Sequence, residues 1–268
     1  MPRRSQFPVA LTVAGSDSGG GAGIQADLKT FAALGVHGAS AITCLTAQNP
    51  KGVSAIQAAK PVIVRAQVEA VFAELHPAAV KTGMLFDTAI IREVASFFAA
   101  LRGPKPPLIV DPVMVATSGA RLLKPAALRA LQTELLPLAA LVTPNLDEAE
   151  ILVGAKLTSV ADLRDAARAI HEQFGCAALV KGGHLRGQRD AVDVFFDGRQ
   201  EVQLTAAFVR GVSTHGTGCT YSAAIAAHCA RGCDLAESVR FAKDFITRAI
   251  AQSYRIRRHS ALNPLAAA

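Results

Sequence analysis

Tryptophan is absent from this chain, and tyrosine occurs twice. Aromatic residues are 5% of the 268. Proteins that hold single-stranded nucleic acid stack bases on aromatics set among clustered Lys and Arg. Here the basic residues are scattered, and the one dense run is Arg255, Arg257 and Arg258. No finger, RRM or KH signature occurs, so that run reads as a solvated end rather than a binding arm. Charged residues are also scarce, at 18%, against 51% hydrophobic, with a mean hydropathy of +0.30. That balance excludes a disordered chain and permits a sizeable buried core. The longest stretches free of Asp, Glu, Lys and Arg are 30–50 and 211–230. Both carry too many Gly, Ser, Thr, His or Asn to span a membrane. The five cysteines (Cys44, Cys176, Cys219, Cys229 and Cys233) are odd in number and form no C-x-x-C. A disulfide framework and a zinc site are both disfavoured, and a reducing, cytoplasmic setting is expected. The net charge of +7 permits an anionic partner, either nucleic acid or a phosphorylated small molecule, without choosing between them.

Short apolar runs alternate with helical patterns. Strands are expected at 9–14, 39–44, 78–81, 107–111, 140–143, 177–181 and 191–196. Most lack polar/apolar alternation, as strands covered on both faces do. Residues 200–205 do alternate and fit an antiparallel edge strand. Helices are expected at 23–34, 61–75, 87–101, 125–136, 159–174, 216–230 and 234–253. The alternation argues for a mostly parallel sheet between helical layers, built as one domain over 1–268.

In such sheets ligands sit beyond the carboxyl ends of the strands. Those ends are chemically rich here: Gly15 to Gly23, Thr46-Ala47-Gln48-Asn49, Lys81-Thr82-Gly83-Met84, Asp111-Pro112-Val113-Met114, Thr143 to Glu148, and Lys181-Gly182-Gly183-His184. The glycines at 19–23 miss the dinucleotide register, because Ile24 stands where the third glycine belongs. No lysine follows a glycine, so no Walker A loop exists. The 19–23 loop is still expected to bring N–H groups toward a ligand beside a helix start. A second loop, Ser213 to Thr220, precedes an Ala-rich helix. Gly216 and Gly218 let the backbone wrap an anion at the positive end of that helix. The N–H groups of Thr217, Gly218 and Cys219 converge there, which suits a phosphoryl group in flight.

Residues 214–219 (THGTGC) resemble the anion-hole loop of the ribokinase-like superfamily. Residues 14–31 (AGSDSGGGAGIQADLKTF) with TAQN at 46–49 are similar to the hydroxymethylpyrimidine/phosphomethylpyrimidine kinase family of thiamine biosynthesis. KTGML (81–85), VDPVM (110–114), TPNLDEAE (143–150) and VKGGH (180–184) match it in order and spacing, so the resemblance covers about 9–250. It implies a ribokinase-like three-layer α/β/α sandwich with a mostly parallel central sheet. It implies two phosphorylations by ATP and Mg²⁺: of 4-amino-5-hydroxymethyl-2-methylpyrimidine, then of its monophosphate. It also implies a homodimer.

The resemblance places Gln48 on the aminopyrimidine, since an amide offers one donor and one acceptor. Gly15, Asp27 and Met84 line the same pocket. Asn145 and Glu148 match the superfamily N-x-x-E, with Glu148 holding Mg²⁺ through water. Asp111 helps place metal and triphosphate, because a carboxylate ending a buried strand is costly without a cation. Lys181 and Lys243 neutralise phosphates. Cys219 stands where sugar kinases of the superfamily carry an aspartate base. The helix N-terminus is expected to lower its pKa from about 8.5 and let it assist deprotonation of the hydroxymethyl oxygen. The catalytic set is thus Gly216, Thr217, Gly218, Cys219 and Lys181.

Two departures stand out. Thr117 replaces the lysine usual after the DPVM strand, and the closing stretch 259–265 lacks the usual glycines. Two other functions compete. A pyridoxal/pyridoxine kinase shares the loop and phosphorylates a hydroxymethyl arm on a nitrogen heteroaromatic. A non-catalytic pyrimidine-binding protein would keep the pocket without turnover.

Overall fold

The computed structural model describes residues 7–114, 123, 125–185, 187–209, 211–212 and 215–268. In chain order its first half contains β1 (Val9–Asp17), α1 (Gly23–Ala33), β2 (His37–Asn49), β3 (Gly52–Ala58), α2 (Pro61–Glu74), β4 (Ala79–Thr82), α3 (Thr88–Ala100) and β5 (Leu108–Val110). There follow α4 (Pro125–Ala130), β6 (Leu141–Val142), α5 (Leu146–Val153), α6 (Val160–Phe174), β7 (Ala177–Lys181), β8 (Asp190–Phe196) and β9 (Glu201–Ala207). The chain closes with α7 (Thr217–Ala230), α8 (Leu235–Ala251), β10 (Tyr254–Ile256), β11 (His259–Ala261) and α9 (Pro264–Ala267).

Nine strands form one sheet in the order β3-β2-β1-β4-β5-β6-β7-β8-β9. The neighbours from β2 to β7 run parallel, while β3, β8 and β9 join antiparallel at the two edges. Successive residues of the central strands face opposite apolar layers. Val80, Leu108, Val110, Val142 and Val180 pack with α2 to α6 through residues such as Val68, Ile91, Leu152 and Ile170. Ala79, Ile109, Leu141 and Leu179 pack with α1, α7 and α8 through Phe31, Ile225 and Phe245. Burial on both faces is why these strands show no alternation. The result is the expected three-layer sandwich.

Helix starts follow local chemistry. Asn145 and Glu148, Ser159 and Asp162, and Asp234 and Glu237 form reciprocal capping boxes at α5, α6 and α8. Pro61 opens α2, where its missing N–H costs nothing. Several features differ from the sequence reading, among them α5 and α9, where no helix was expected. β2 runs to Asn49, so TAQN lies within a strand and not after it. The exposed β3 was not foreseen, because its pairing is set by β2 rather than by burial. The helix expected at 125–136 ends at Ala130, and tighter and looser turns continue to Leu138. The basic end is a hairpin, β10–β11, on which Arg255, Arg257 and Arg258 are exposed.

Candidate active site

The carboxyl ends of the parallel strands open into a cavity of 580 Å³. β1 ends in Asp17, 3% exposed, and its carboxylate accepts N–H bonds from Gly19 at 2.8 Å, Gly21 at 3.1 Å and Ala22 at 2.8 Å. Burial pushes Asp17 upward, yet His215 and these three N–H groups hold it below its ordinary pKa. This corrects the expectation for the first glycine loop. Its N–H groups turn inward onto Asp17 and are not offered to a ligand. The loop instead braces the second one: a Cβ at Gly216 would lie 1.9 Å from the Gly21 carbonyl oxygen.

Gly216, at φ +82°, is the N-cap of α7. A left-handed glycine is needed there to swing the chain into the helix. The first N–H groups of α7 have no intrahelical acceptor, and the ladder begins with Thr220 N–H on Gly216 O at 2.9 Å. Gly216, Thr217, Gly218 and Cys219 all line the cavity. Thr217 Oγ1 is buried with no hydrogen-bond partner among the described residues. A Cβ at Gly218 would sit 3.3 Å from Lys181 Nζ and 3.6 Å from Asp111 Oδ2. The Lys181 ammonium and the Asp111 carboxylate therefore crowd the first turn of α7, at the positive end of its dipole.

Asp111, just beyond β5 and 4% exposed, receives Thr143 Oγ1 at 3.4 Å, Lys181 Nζ at 3.4 Å and Ser222 Oγ at 3.3 Å. Glu148, on the first turn of α5, is 2% exposed. It accepts the N–H groups of Met114 at 2.9 Å and Asn145 at 3.0 Å. Burial, then the neighbouring Asp111 carboxylate, push Glu148 up to about 7. Asn145 caps α5 through Glu148 N–H at 2.9 Å. The N-x-x-E pair is therefore a capping box that also aims Glu148 into the cavity.

Gly15, Gln48 and Met84 line the same cavity. Gln48 Oε1 accepts Thr46 Oγ1 at 3.1 Å, and its Nε2 lies 3.4 Å from His215 Nε2. His215 Nε2 is also 3.6 Å from Asp17 Oδ2. A Cβ at Gly15 would reach Cys44 Sγ at 2.8 Å, so only glycine lets β1 pass there.

Three expectations need correction. Asp27 is fully buried behind the cavity wall, where both oxygens meet Lys81 Nζ at 2.9 Å and Oδ2 accepts Thr12 Oγ1 at 2.6 Å. It is not among the lining residues; Lys81 is. The Cys219 thiol is pushed up to about 11, by burial first, although Lys81 and Gly23 N–H pull the other way. Desolvation, helped by the Asp27 and Asp111 charges, outweighs both. Lys243 reaches the cavity, but its ammonium bonds Asp193 Oδ2 at 2.7 Å and so is not a bare phosphate ligand. Thr117, Ser213 and Thr214 lie outside the described residues. Sequence reasoning missed Asp17, Lys81, His215 and Asp193. A lysine directly after the apolar run 77–80 and an aspartate on the apolar face of α1 were the available signal, since buried charges come in pairs.

A sequence profile described as phosphomethylpyrimidine kinase matches residues 17–263. The chain belongs to that family. A hydroxymethylpyrimidine/phosphomethylpyrimidine kinase of Rhizobium meliloti is 51% identical over 249 residues, covering 92% of each chain. The fold superposes on a phosphomethylpyrimidine kinase from Clostridium difficile with a TM-score of 0.81 and 42% identity, over 91% of this chain and all of that one. It also superposes on a pyridoxal kinase of Bacillus subtilis, solved with ADP, with a TM-score of 0.87 and 36% identity, over 97% and 98% of the chains. Family membership makes the chain a ribokinase-like kinase.

Proposed function

We propose that the chain transfers the γ-phosphoryl group of ATP to the hydroxymethyl oxygen of 4-amino-5-hydroxymethyl-2-methylpyrimidine. It then phosphorylates the monophosphate, within thiamine biosynthesis. One observation carries the reading. The start of α7, Lys181 and Asp111 meet at one place in the cavity, and Gln48, Gly15 and Met84 line the same cavity. The pyrimidine lies against Gly15 and Met84, and the Gln48 amide pairs with a ring nitrogen and its neighbouring amine. Thr46 and His215 hold that amide in place. Thr217, Gly218 and Cys219 present N–H groups to the equatorial oxygens as charge develops on them. Phe208, Val209, Ile246 and Ile250 give the cavity an apolar wall that suits a base ring.

The residues present fit Mg²⁺. Asp111 and Glu148 are buried carboxylates that raise one another's energy, and a cation between them relieves this. Bound there, Mg²⁺ would neutralise phosphate charge. Cys219 faces the alcohol; its thiol stays protonated near neutrality, so most of the rate comes from positioning and charge. The same reading takes residues 1–268 as one domain, acting in the cytoplasm as a homodimer.

The test incubates the protein with MgATP and the pyrimidine alcohol and resolves mono- from diphosphorylated product. Both should appear in sequence. Tight binding of the pyrimidine without turnover would replace the kinase by a binding protein. The likeness to a pyridoxal kinase supports pyridoxal as a second alcohol. A higher kcat/KM for pyridoxal than for the pyrimidine would reverse the assignment.

A further inference from the structure

Asp193 belongs to no motif singled out in the sequence, yet it is 3% exposed at the cavity edge. A buried carboxylate needs partners. Its Oδ1 accepts Gly182 N–H at 3.0 Å, and its Oδ2 accepts Lys243 Nζ at 2.7 Å. Lys243 also donates to Ala191 O at 3.2 Å. Gly182 N–H meets Val192 O at 3.0 Å as well, and a Cβ at 182 would lie 2.2 Å from that oxygen. The chain just after Lys181 is therefore pressed against β8 and tied through one carboxylate to α8. Lys181 itself reaches Asp111 and the Gly218 turn.

We propose that Asp193 is a positioning residue for phosphoryl transfer. It gathers Gly182 N–H and the Lys243 ammonium, fixes the end of β7, and so aims Lys181 at the start of α7. Lys243 serves this tie and does not contact the triphosphate. The inference rests on the kinase reading and adds to it a residue that acts through another.

Three variants test it: Asp193→Ala, Lys243→Met, and the double Asp193→Asn with Lys243→Met. The double keeps an acceptor for Gly182 N–H and removes both charges, so no buried charge is orphaned. Thermal melting, kcat, KM for ATP and the Kd of MgADP by calorimetry are measured for each. Asp193→Ala should lower kcat about 100-fold, the effect of a catalytic group misplaced by about 1 Å. The double should regain about tenfold over Asp193→Ala and bind MgADP more tightly than Lys243→Met. A double as weak as Lys243→Met in kcat and in MgADP binding would put Lys243 on the phosphates and overturn the proposal. So would a folded Asp193→Ala enzyme with unchanged kcat, since a merely structural role lowers the melting temperature alone. If Asp193→Ala does not fold, the comparison of Lys243→Met with the double still decides. If the unaltered protein phosphorylates no pyrimidine alcohol, the kinase reading fails, while the MgADP comparison still judges the tie.

Discussion

Lys81 and Asp27 are both 0% exposed and share two contacts of 2.9 Å, so the consequences of separating them are large and calculable. Lys81→Met removes the cation and leaves Asp27 with Thr12 as its remaining side-chain hydrogen-bond donor among the described residues. Breaking a buried pair from one side costs about 3–5 kcal/mol, because the surviving charge stays in a poor solvent. For a chain of this size each kcal/mol moves Tm by about 2–4 °C, so Tm should fall by about 10 °C. Asp27 is already raised in pKa by burial, and losing Lys81 raises it further. A carboxyl group with a raised folded pKa stabilises at low pH and loses that contribution as pH rises. The deficit of Lys81→Met should therefore be larger at pH 8 than at pH 5. Adding Asp27→Asn removes the orphaned charge and should restore at least half of the loss. Calorimetric scans of the three proteins at both pH values are the assay. A Lys81→Met protein melting within about 2 °C of the parent at pH 8 would refute the account, because a buried unpaired carboxylate cannot be so cheap.

Other perturbations follow from the same geometry. Cys219 is protonated near neutrality, so Cys219→Ala should lower kcat for the two phosphorylations by similar factors; a loss confined to the first step would restore Cys219 as its base. Gly216→Ala places a Cβ against the Gly21 carbonyl and forces a left-handed alanine, so Tm should drop, and kcat should fall about tenfold or more as the start of α7 shifts. A parent-like Gly216→Ala enzyme would show that the two loops are not braced. Glu148 has a folded pKa of about 7 against an ordinary 4.5. Its contribution is present below about 4.5 and is lost as pH rises through 7. Mg²⁺ should therefore raise Tm more at pH 8 than at pH 6, and Glu148→Gln should flatten that difference. An equal Mg²⁺ effect at both pH values in the parent would argue against a carboxylate site there.

The layered fold was legible because its signals are local. Apolar runs without alternation marked strands buried on both faces, and β7 fell where expected; alternation at 200–205 marked the antiparallel edge strand, which runs over Glu201–Ala207. The second glycine loop was legible for the same reason: Gly216 and Gly218 bracket a helix start in consecutive residues. What escaped was set by distant partners. Nothing near Asp17 says that it takes the N–H groups of the loop that follows, rather than leaving them to a ligand. The Cys219 thiol sits at a helix N-terminus, a local feature that lowers a pKa, but its burial is tertiary and wins. Lys243 lies on an amphipathic helix whose exposed face could have held it. Its burial depends on Asp193, 50 residues away in sequence.

These pairings bear on how a chain of net charge +7 meets an anion. Each lysine at the cavity wall is matched to its own aspartate: Lys81 to Asp27, Lys181 to Asp111 and Lys243 to Asp193. The three pairs carry no net charge, and Glu148 adds a carboxylate that is half-protonated near pH 7. The surplus of the whole molecule is therefore not concentrated where a triphosphate would bind. Long-range attraction from the surface is screened beyond about 8 Å at physiological salt. On the proposed reading the phosphate charge would be met by the N–H groups at the start of α7, by the Lys181 ammonium that Asp111 holds only at 3.4 Å, and by the Mg²⁺ that Asp111 and Glu148 would hold. The pairing leaves none of the three ammonium groups orphaned in the wall, whereas Asp111 and Glu148 oppose one another there. With Mg²⁺ held as proposed, nucleotide binding would be coupled to the metal through these two carboxylates rather than through a cluster of lysines.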